Sequence, residues 1–317
     1  MSTSTVSDKP PLALIAGPTA SGKSALAVRL AKSIEARGGS AVVINADSAQ
    51  VYADLRVLSA RPTEEEMEGI PHRIFGTWDG SVACSAADWS KSARDEIARA
   101  HAEGAYPILV GGTGLYFRTL LDGIAPIPPI DPAIRDEVRA LSQEDARAAL
   151  EAEDPLAATR LAPRDTARTT RALEVIRSTG RPITDWQGAR SGGIAGEIGL
   201  HPLVLMPERP WLYARCDLRF GAMLENGARQ EVAALLERRL SEDLPVMRAI
   251  GVREVARLLE GQASFEETVE AGCLATRRYA KRQFTWFRHQ APADWPRIES
   301  ENYGNTEIDE LFFRFLS

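Results

Sequence analysis

Residues 17–24 read Gly17-Pro18-Thr19-Ala20-Ser21-Gly22-Lys23-Ser24, a complete G-x-x-x-x-G-K-S loop. The apolar run Leu12–Ala16 precedes it, and a helical stretch from Ala25 to Ile34 follows. Strand, glycine-rich turn and helix in that order form a unit whose backbone N–H groups turn inward around phosphate oxygens. Lys23 adds a point charge and Ser24 a hydroxyl suited to Mg²⁺. A phosphate chain is expected in this loop. Whose phosphate it is has to come from the rest of the chain.

Three further β-type runs recur at Ala41–Ile44, Tyr106–Val110 and Leu203–Met206, with long helical patterns such as Lys23–Arg37 and Ala86–Glu103 between the first three strands. Strand, long crossover and strand predict a parallel sheet covered by helices on both faces. Each of the first three strands ends in a polar or glycine-rich loop: the phosphate loop, Asn45-Ala46-Asp47-Ser48, and Gly111-Gly112-Thr113-Gly114. In an open α/β sheet, loops at the carboxyl ends of strands line the ligand crevice, so the three are expected to converge. A proline cluster (Pro126, Pro128, Pro129, Pro132) then breaks the rhythm, and an Ala/Arg/Glu-rich helical stretch follows. The expected organisation is a disordered tail over 1–11, a first part of the core over 12–125, an all-helical insertion over 126–190, and a return to the core over 191–317. A chain of 317 residues is longer than one compact domain usually needs, in keeping with that division.

No run approaches the roughly 18 continuous apolar residues of a membrane helix, and the Ser/Thr/Pro-rich start has no apolar core of a signal peptide. The three cysteines (Cys84, Cys216, Cys273) lie far apart with no metal-ligand spacing, so a reduced, cytoplasmic protein without structural zinc is expected. A formal net charge of −6 argues against a general nucleic-acid coat, but distribution matters more than the sum. Arg277 to His289 carries five Lys/Arg and no acid, and Arg160 to Arg181 carries six Arg against Asp165 and Glu174.

Asp47, directly after a strand, reads either as a turn or helix-cap residue or as a general base over the phosphate site. The Gly111–Tyr116 run follows a strand that lacks a terminal Asp, where a standard ATPase or GTPase would hold Mg²⁺. That counts against ordinary nucleotide hydrolysis. Thr113 sits either in a tight turn before a helix or as a hydroxyl aimed at a diphosphate or base edge. Arg277–Arg288 interleaves cations with aromatics, and Arg277, Lys281, Phe284 and Arg288 fall on one face at helical spacing. The alternatives are a solvated helix with Phe284 or Phe287 in the core, or a surface for a phosphate backbone. Arg248–Arg253 is a smaller basic element, and for His72 and Arg73 a structural role is the default.

Taken in order, Gly17–Ser24, Asp47-Ser48-Ala49-Gln50-Val51-Tyr52, Ala60-Arg61-Pro62-Thr63, Pro71-His72, Gly111–Tyr116, Arg171-Ala172-Leu173-Glu174 and Ala280–Arg288 resemble the tRNA dimethylallyltransferases, from residue 12 to about 290. The resemblance implies transfer of a dimethylallyl group from dimethylallyl diphosphate to N6 of adenosine 37 in tRNAs reading codons that begin with U. It implies a leaving diphosphate on residues 17–24, Mg²⁺ near Ser24, Asp47 as base, Arg219 as a further cation on the diphosphate, and Thr113 near both substrates. It further implies that Ser48, Ala49 and Gln50 lie near the flipped nucleotide. Gripping of the anticodon stem–loop would fall to Arg135, to Ala167, Arg168, Thr169, Thr170 and Arg171, and to Arg248, Ala249, Ile250, Gly251, Val252 and Arg253. Lys281, Arg282, Gln283, Phe284, Thr285, Trp286, Phe287 and Arg288 complete that set. With no heptad or exposed apolar stripe, a monomer without membrane contact is expected. The rivals are a small-molecule kinase, which needs no basic-aromatic helix, and an RNA-binding nucleotide switch, whose affinity would ignore Asp47.

Overall fold

The computed structural model describes residues 9–300. Most of the tail expected over 1–11 lies outside the described residues, as does 301–317, and Pro11 already belongs to the first strand. In chain order the elements begin with β1 (Pro11–Ala16), α1 (Lys23–Glu35), β2 (Ser40–Asn45), α2 (Glu64–Met67), β3 (His72–Arg73), α3 (Ala86–Ala102), β4 (Ala105–Gly111) and α4 (Gly114–Asp122). Five helices follow: α5 (Pro132–Ala140), α6 (Gln143–Glu153), α7 (Pro155–Arg160), α8 (Thr166–Thr179) and α9 (Ile183–Gln187). Then come β5 (Gly199–Leu205), α10 (Arg209–Glu225), α11 (Ala228–Glu237), α12 (Val252–Leu259), α13 (Phe265–Gln290) and β6 (Arg297–Ile298).

The chain divides into two compact units. One is built from the segments up to Leu120 and from Ala195 onward, the other from Leu121–Ile194. In the first, the described strands form one parallel sheet in the order β3-β2-β4-β1-β5-β6. β1 runs between β4 and β5, and Leu12 to Ala16 are wholly buried, which explains why this strand reads as an unbroken apolar run. α1 lays Leu26, Val28, Leu30 and Ile34 into the same cluster as Ile15, Val43, Ile108 and Leu205. β5 begins at Gly199, earlier than the expected Leu203, because pairing with β1 runs from Pro11↔Gly199 onward through His201 and Pro202. The two-residue strands β3 and β6 carry too few residues for a period-2 pattern, and the sequence does not announce them.

The carboxyl-end loops are bound to one another by backbone. Ala46 N–H donates to Val110 O (2.7 Å) and Thr113 N–H to Ala46 O (3.2 Å). A Cβ on Gly111 would lie 2.1 Å from Ala46 O, so only glycine allows this approach. α13 starts at a capping box in which Ser264 and Glu267 bond reciprocally. Its buried stripe, Thr268, Gly272, Thr276, Ala280, Gln283 and Phe287, advances by three or four residues. The small members let α10 close in: a Cβ on Gly272 would lie 1.9 Å from the Phe220 ring.

The second unit is helical. Its ends meet in an antiparallel bridge between Ile124 and Ser191, and its span exceeds the expected 126–190 by a few residues on each side. Asp131, Ser142, Asp154 and Asp165 cap four of its helices through side-chain oxygens, with Pro132 and Pro155 in first turns. Val138, Leu150, Ala157, Ala172 and Leu173 are among the residues of its small core.

Candidate active site

The phosphate loop leaves β1 through Gly17, whose φ of 152° and 2.5 Å Cβ–Leu205 O approach exclude a side chain. Gly22 (φ 94°) then caps α1. Lys23 Nζ donates to the loop's own Pro18 carbonyl at 2.6 Å. Burial pulls this ammonium down from its ordinary 10.5 to about 8, against the opposing pull of Asp47. Thr19 is held at both ends: its N–H donates to Gln283 Oε1 (2.7 Å), and its hydroxyl accepts from Arg219 on α10. One turn earlier on α10, Arg215 Nε donates to Ala20 O (3.0 Å). Burial draws the Arg219 guanidinium below its usual value, which Cys216 and Asp47 oppose. A cavity of about 470 Å³ opens over the loop. It is lined by the cations Lys23, Arg29, Arg215 and Arg219 and by the carboxylates Asp47, Glu66 and Glu68. Arg215 is the residue sequence reasoning missed. Its signal was its position four residues before Arg219, on the same helical face.

A second cavity of about 250 Å³ adjoins the first and is more apolar, with Leu58, Phe220, Met223 and Ile250 in its wall. Thr19, Asp47, Ser59 and Arg219 line both. Asp47 therefore stands where a cation-lined chamber meets a more apolar one. Its placement is local chemistry. Asn45, wholly buried, accepts the Asp47 N–H on Oδ1 (2.8 Å) and donates Nδ2 to Asp47 O and Ile74 O. Asp47 Oδ1 in turn accepts the Ala49 N–H (3.0 Å), so the turn-residue reading holds alongside the cavity-facing one. Ser48 and Ala49 line the second cavity, and Gln50 lines the first while its amide donates to Ser59 O and Ala60 O. Thr113 lies behind Ser48 rather than on either wall: its Oγ1 accepts the Ser48 N–H (2.9 Å) and donates to Ser48 Oγ (3.3 Å). The Tyr279 hydroxyl joins the same pair, with burial pushing its pKa well up.

The IPP transferase family profile matches residues 50–290, and a Zeta toxin profile matches residues 2–63, across the phosphate loop. The tRNA dimethylallyltransferase of Erythrobacter litoralis is 62% identical over 97% of this chain and 97% of its own length. The chain belongs to the IPP transferase family. Among solved structures, the full-length tRNA isopentenylpyrophosphate transferase from Bacillus halodurans superposes with a TM-score of 0.69 at 33% identity, covering 97% of this chain and 96% of that one. A eukaryotic dimethylallyltransferase described as acting on tRNA gives 0.74 at 29% identity, over 88% of this chain and 70% of its own.

Several residues that the IPP transferase resemblance assigns to RNA are not at the surface. Gln283, Phe287, Thr169, Gly251 and Val252 are buried and pack within the fold. The face expected from Arg277, Lys281, Phe284 and Arg288 is also divided. Arg277 pairs with Asp217 of α10 (2.6 Å), and Phe284 packs beside Leu212 and Cys216 under Arg209. A segment without acids meets its acid from another helix, which sequence spacing does not reveal. Lys281, Arg282, Thr285 and Arg288 are exposed, with Trp286 partly covered by Arg118. Arg248 bonds Asp243, is exposed, and lines the second cavity together with Ala249 and Ile250; Arg253 is exposed beside them. In the helical unit Arg168 pairs with Asp165, Arg171 with Glu174, and Arg177 with Glu153 and Glu137, which neutralises much of that basic stretch. Ala167 there is exposed, while Thr170 and Arg135 are partly covered. His72 is structural: its Nδ1 lies 2.8 Å from Ile70 O and its ring tilts against Phe75.

No cluster of three or more His, Cys, Asp or Glu side chains among the described residues could hold a metal alone. Ser24 is exposed in the first turn of α1 and shares its cavity with Asp47, an all-oxygen set. Such a set fits Mg²⁺, which keeps several waters and takes the remainder of its ligands from phosphate oxygens.

Proposed function

We propose that the chain transfers the dimethylallyl group of dimethylallyl diphosphate to N6 of adenosine 37 in tRNAs reading codons that begin with U, giving N6-(dimethylallyl)adenosine. The observation that carries this reading is the pair Asp47 and Arg219 lining both a cationic and an apolar cavity. The diphosphate would occupy the first with Lys23, Arg215 and Arg219, and the allylic carbon would reach the junction. In the reaction the C1–O bond to the diphosphate breaks, the C1–N6 bond forms, and the departing electron pair goes to the diphosphate oxygen. The N6 proton passes to the Asp47 carboxylate, because the amine's lone pair is delocalised into the ring until the bond forms. Backbone N–H groups of the loop and the fixed guanidinium of Arg219 stabilise charge where it develops. Mg²⁺, held by Ser24 and the diphosphate, would supply further charge neutralisation when bound. Adenosine 37 has to leave its stack to reach the junction. The exposed cations Lys281, Arg282, Arg288 and Arg253 would grip the backbone of the anticodon stem–loop, with Arg135, Arg168 and Arg171 from the helical unit. We also propose a cytoplasmic monomer; no described helix is long and apolar enough to cross a membrane.

Asp47→Asn keeps an oxygen for the Ala49 N–H and removes the base. Single-turnover transfer should fall about 10²–10⁴-fold, with binding of dimethylallyl thiolodiphosphate retained. Unchanged turnover would overturn the assignment of the base.

A further inference from the structure

Gln283 sits on α13, the helix read above as RNA-facing, but points away from solvent, 5% exposed. Its amide bridges two loops of the donor site: Oε1 accepts the Thr19 N–H (2.7 Å), and Nε2 donates to Gly112 O (2.9 Å). Both bonds span most of the chain, and each uses one end of the amide, so rotation or loss of the group leaves a buried N–H or C=O unpaired. Thr19 is also the residue whose hydroxyl accepts from Arg219. A shift of α13 therefore moves the Pro18–Thr19 peptide, and with it the cation expected on the leaving diphosphate. Nothing in the space around the amide allows slack. A Cβ on Gly112 would lie 2.3 Å from Gln283 Nε2, and one on Gly114 would lie 2.2 Å from the Trp286 ring on the next turn of the same helix.

We propose that Gln283 is a positioning residue that couples RNA engagement by α13 to the geometry of the donor-diphosphate loop. The proposal rests on the reading of α13 as the RNA-facing helix. By linkage, a coupling of this kind strengthens both ligands equally: stem–loop RNA tightens donor binding by the factor by which donor tightens RNA binding. A residue that merely stabilised the fold would change both affinities without changing that factor.

The test measures binding of dimethylallyl thiolodiphosphate with and without an unmodified anticodon stem–loop, in the unaltered chain and in Gln283→Met, which keeps the volume and removes both hydrogen bonds. The unaltered chain should show mutual strengthening of about fivefold or more, the low end of usual allosteric couplings. Gln283→Met should bring the factor close to one and raise KM for the donor in the presence of RNA. Lys281→Ala, on the exposed face of the same helix, should weaken RNA binding and leave the factor intact. If Gln283→Met does not fold, Gly112→Ala displaces the same amide from the other side and should lose the coupling alike. An undiminished factor in the folded variant overturns the proposal, as does the absence of coupling in an unaltered chain that binds both ligands. An unaltered chain that binds neither ligand overturns the parent reading instead.

Discussion

At the residue scale, the site is built from polar groups with two duties. Asp47 secures its own turn through Oδ1 and still faces both cavities; Thr19 is fixed by helices α10 and α13 from opposite ends. Lys23 is the residue whose protonation should report on the donor. The native state holds its proton less tightly than the unfolded chain does, with a pKa of about 8 against 10.5. Its buried charge thus opposes folding below about pH 8, and stability from this group rises as pH climbs from there toward 10.5. A diphosphate bound here, as proposed, would supply counter-charge and restore the proton. Calorimetry in buffers of different ionisation enthalpy should therefore find uptake of about one proton on binding dimethylallyl thiolodiphosphate near about pH 9, and little near about pH 7. Equal uptake at both would show that Lys23 does not meet the diphosphate. The phosphate loop and Asp47 were legible in the sequence because each lies next to a strand end. The inward turn of Gln283 was not, since its partners Thr19 and Gly112 lie far off in sequence, and Arg215 showed only as a cation four residues before Arg219.

At the scale of elements, α13 presents a packed face and an exposed, cationic one. Its inner stripe of Gly272, Thr276 and Ala280 packs on α10, where Phe220 leaves no room for a side chain at 272. Gly272→Val should destabilise the chain by about 1–3 kcal/mol through overpacking, read from denaturant unfolding; no loss would mean that the helices separate freely. Its outer face carries the exposed Lys281 and Arg282. Reversing both charges should weaken stem–loop binding and lower the slope of log affinity against log salt by at least roughly 1.4, the share of two phosphate contacts on a single strand. An unaltered slope would make that face structural. Periodicity revealed the helix and its cations correctly, but the choice of face was not decidable from spacing alone. Arg277 and Phe284 share spacing with Lys281 and Arg288 yet answer to Asp217 and the Leu212–Cys216 cluster on a neighbouring helix.

At the scale of the whole molecule, the parallel sheet and helical insertion were legible because continuous apolar strands, long crossovers and a proline break are long-range patterns. The two-residue edge strands β3 and β6 were not. Because Ile124 and Ser191 pair, the ends of the helical unit are adjacent. Replacing 125–190 by a short Gly/Ser linker should leave the sheet unit folded and binding dimethylallyl thiolodiphosphate within about threefold, roughly 0.7 kcal/mol, while stem–loop affinity falls. Loss of donor binding would show that the sheet unit does not stand alone. The phosphate loop is proposed to hold a leaving group, not a nucleotide to be hydrolysed. The most direct measurement incubates the chain with dimethylallyl diphosphate labelled in the allyl group, unmodified tRNA and Mg²⁺, then digests the RNA to nucleosides. Label recovered on N6 of adenosine 37, with one diphosphate released per label transferred, is the predicted result. ATP-dependent phosphoryl transfer or nucleotide hydrolysis, with no label entering the RNA, would contradict it.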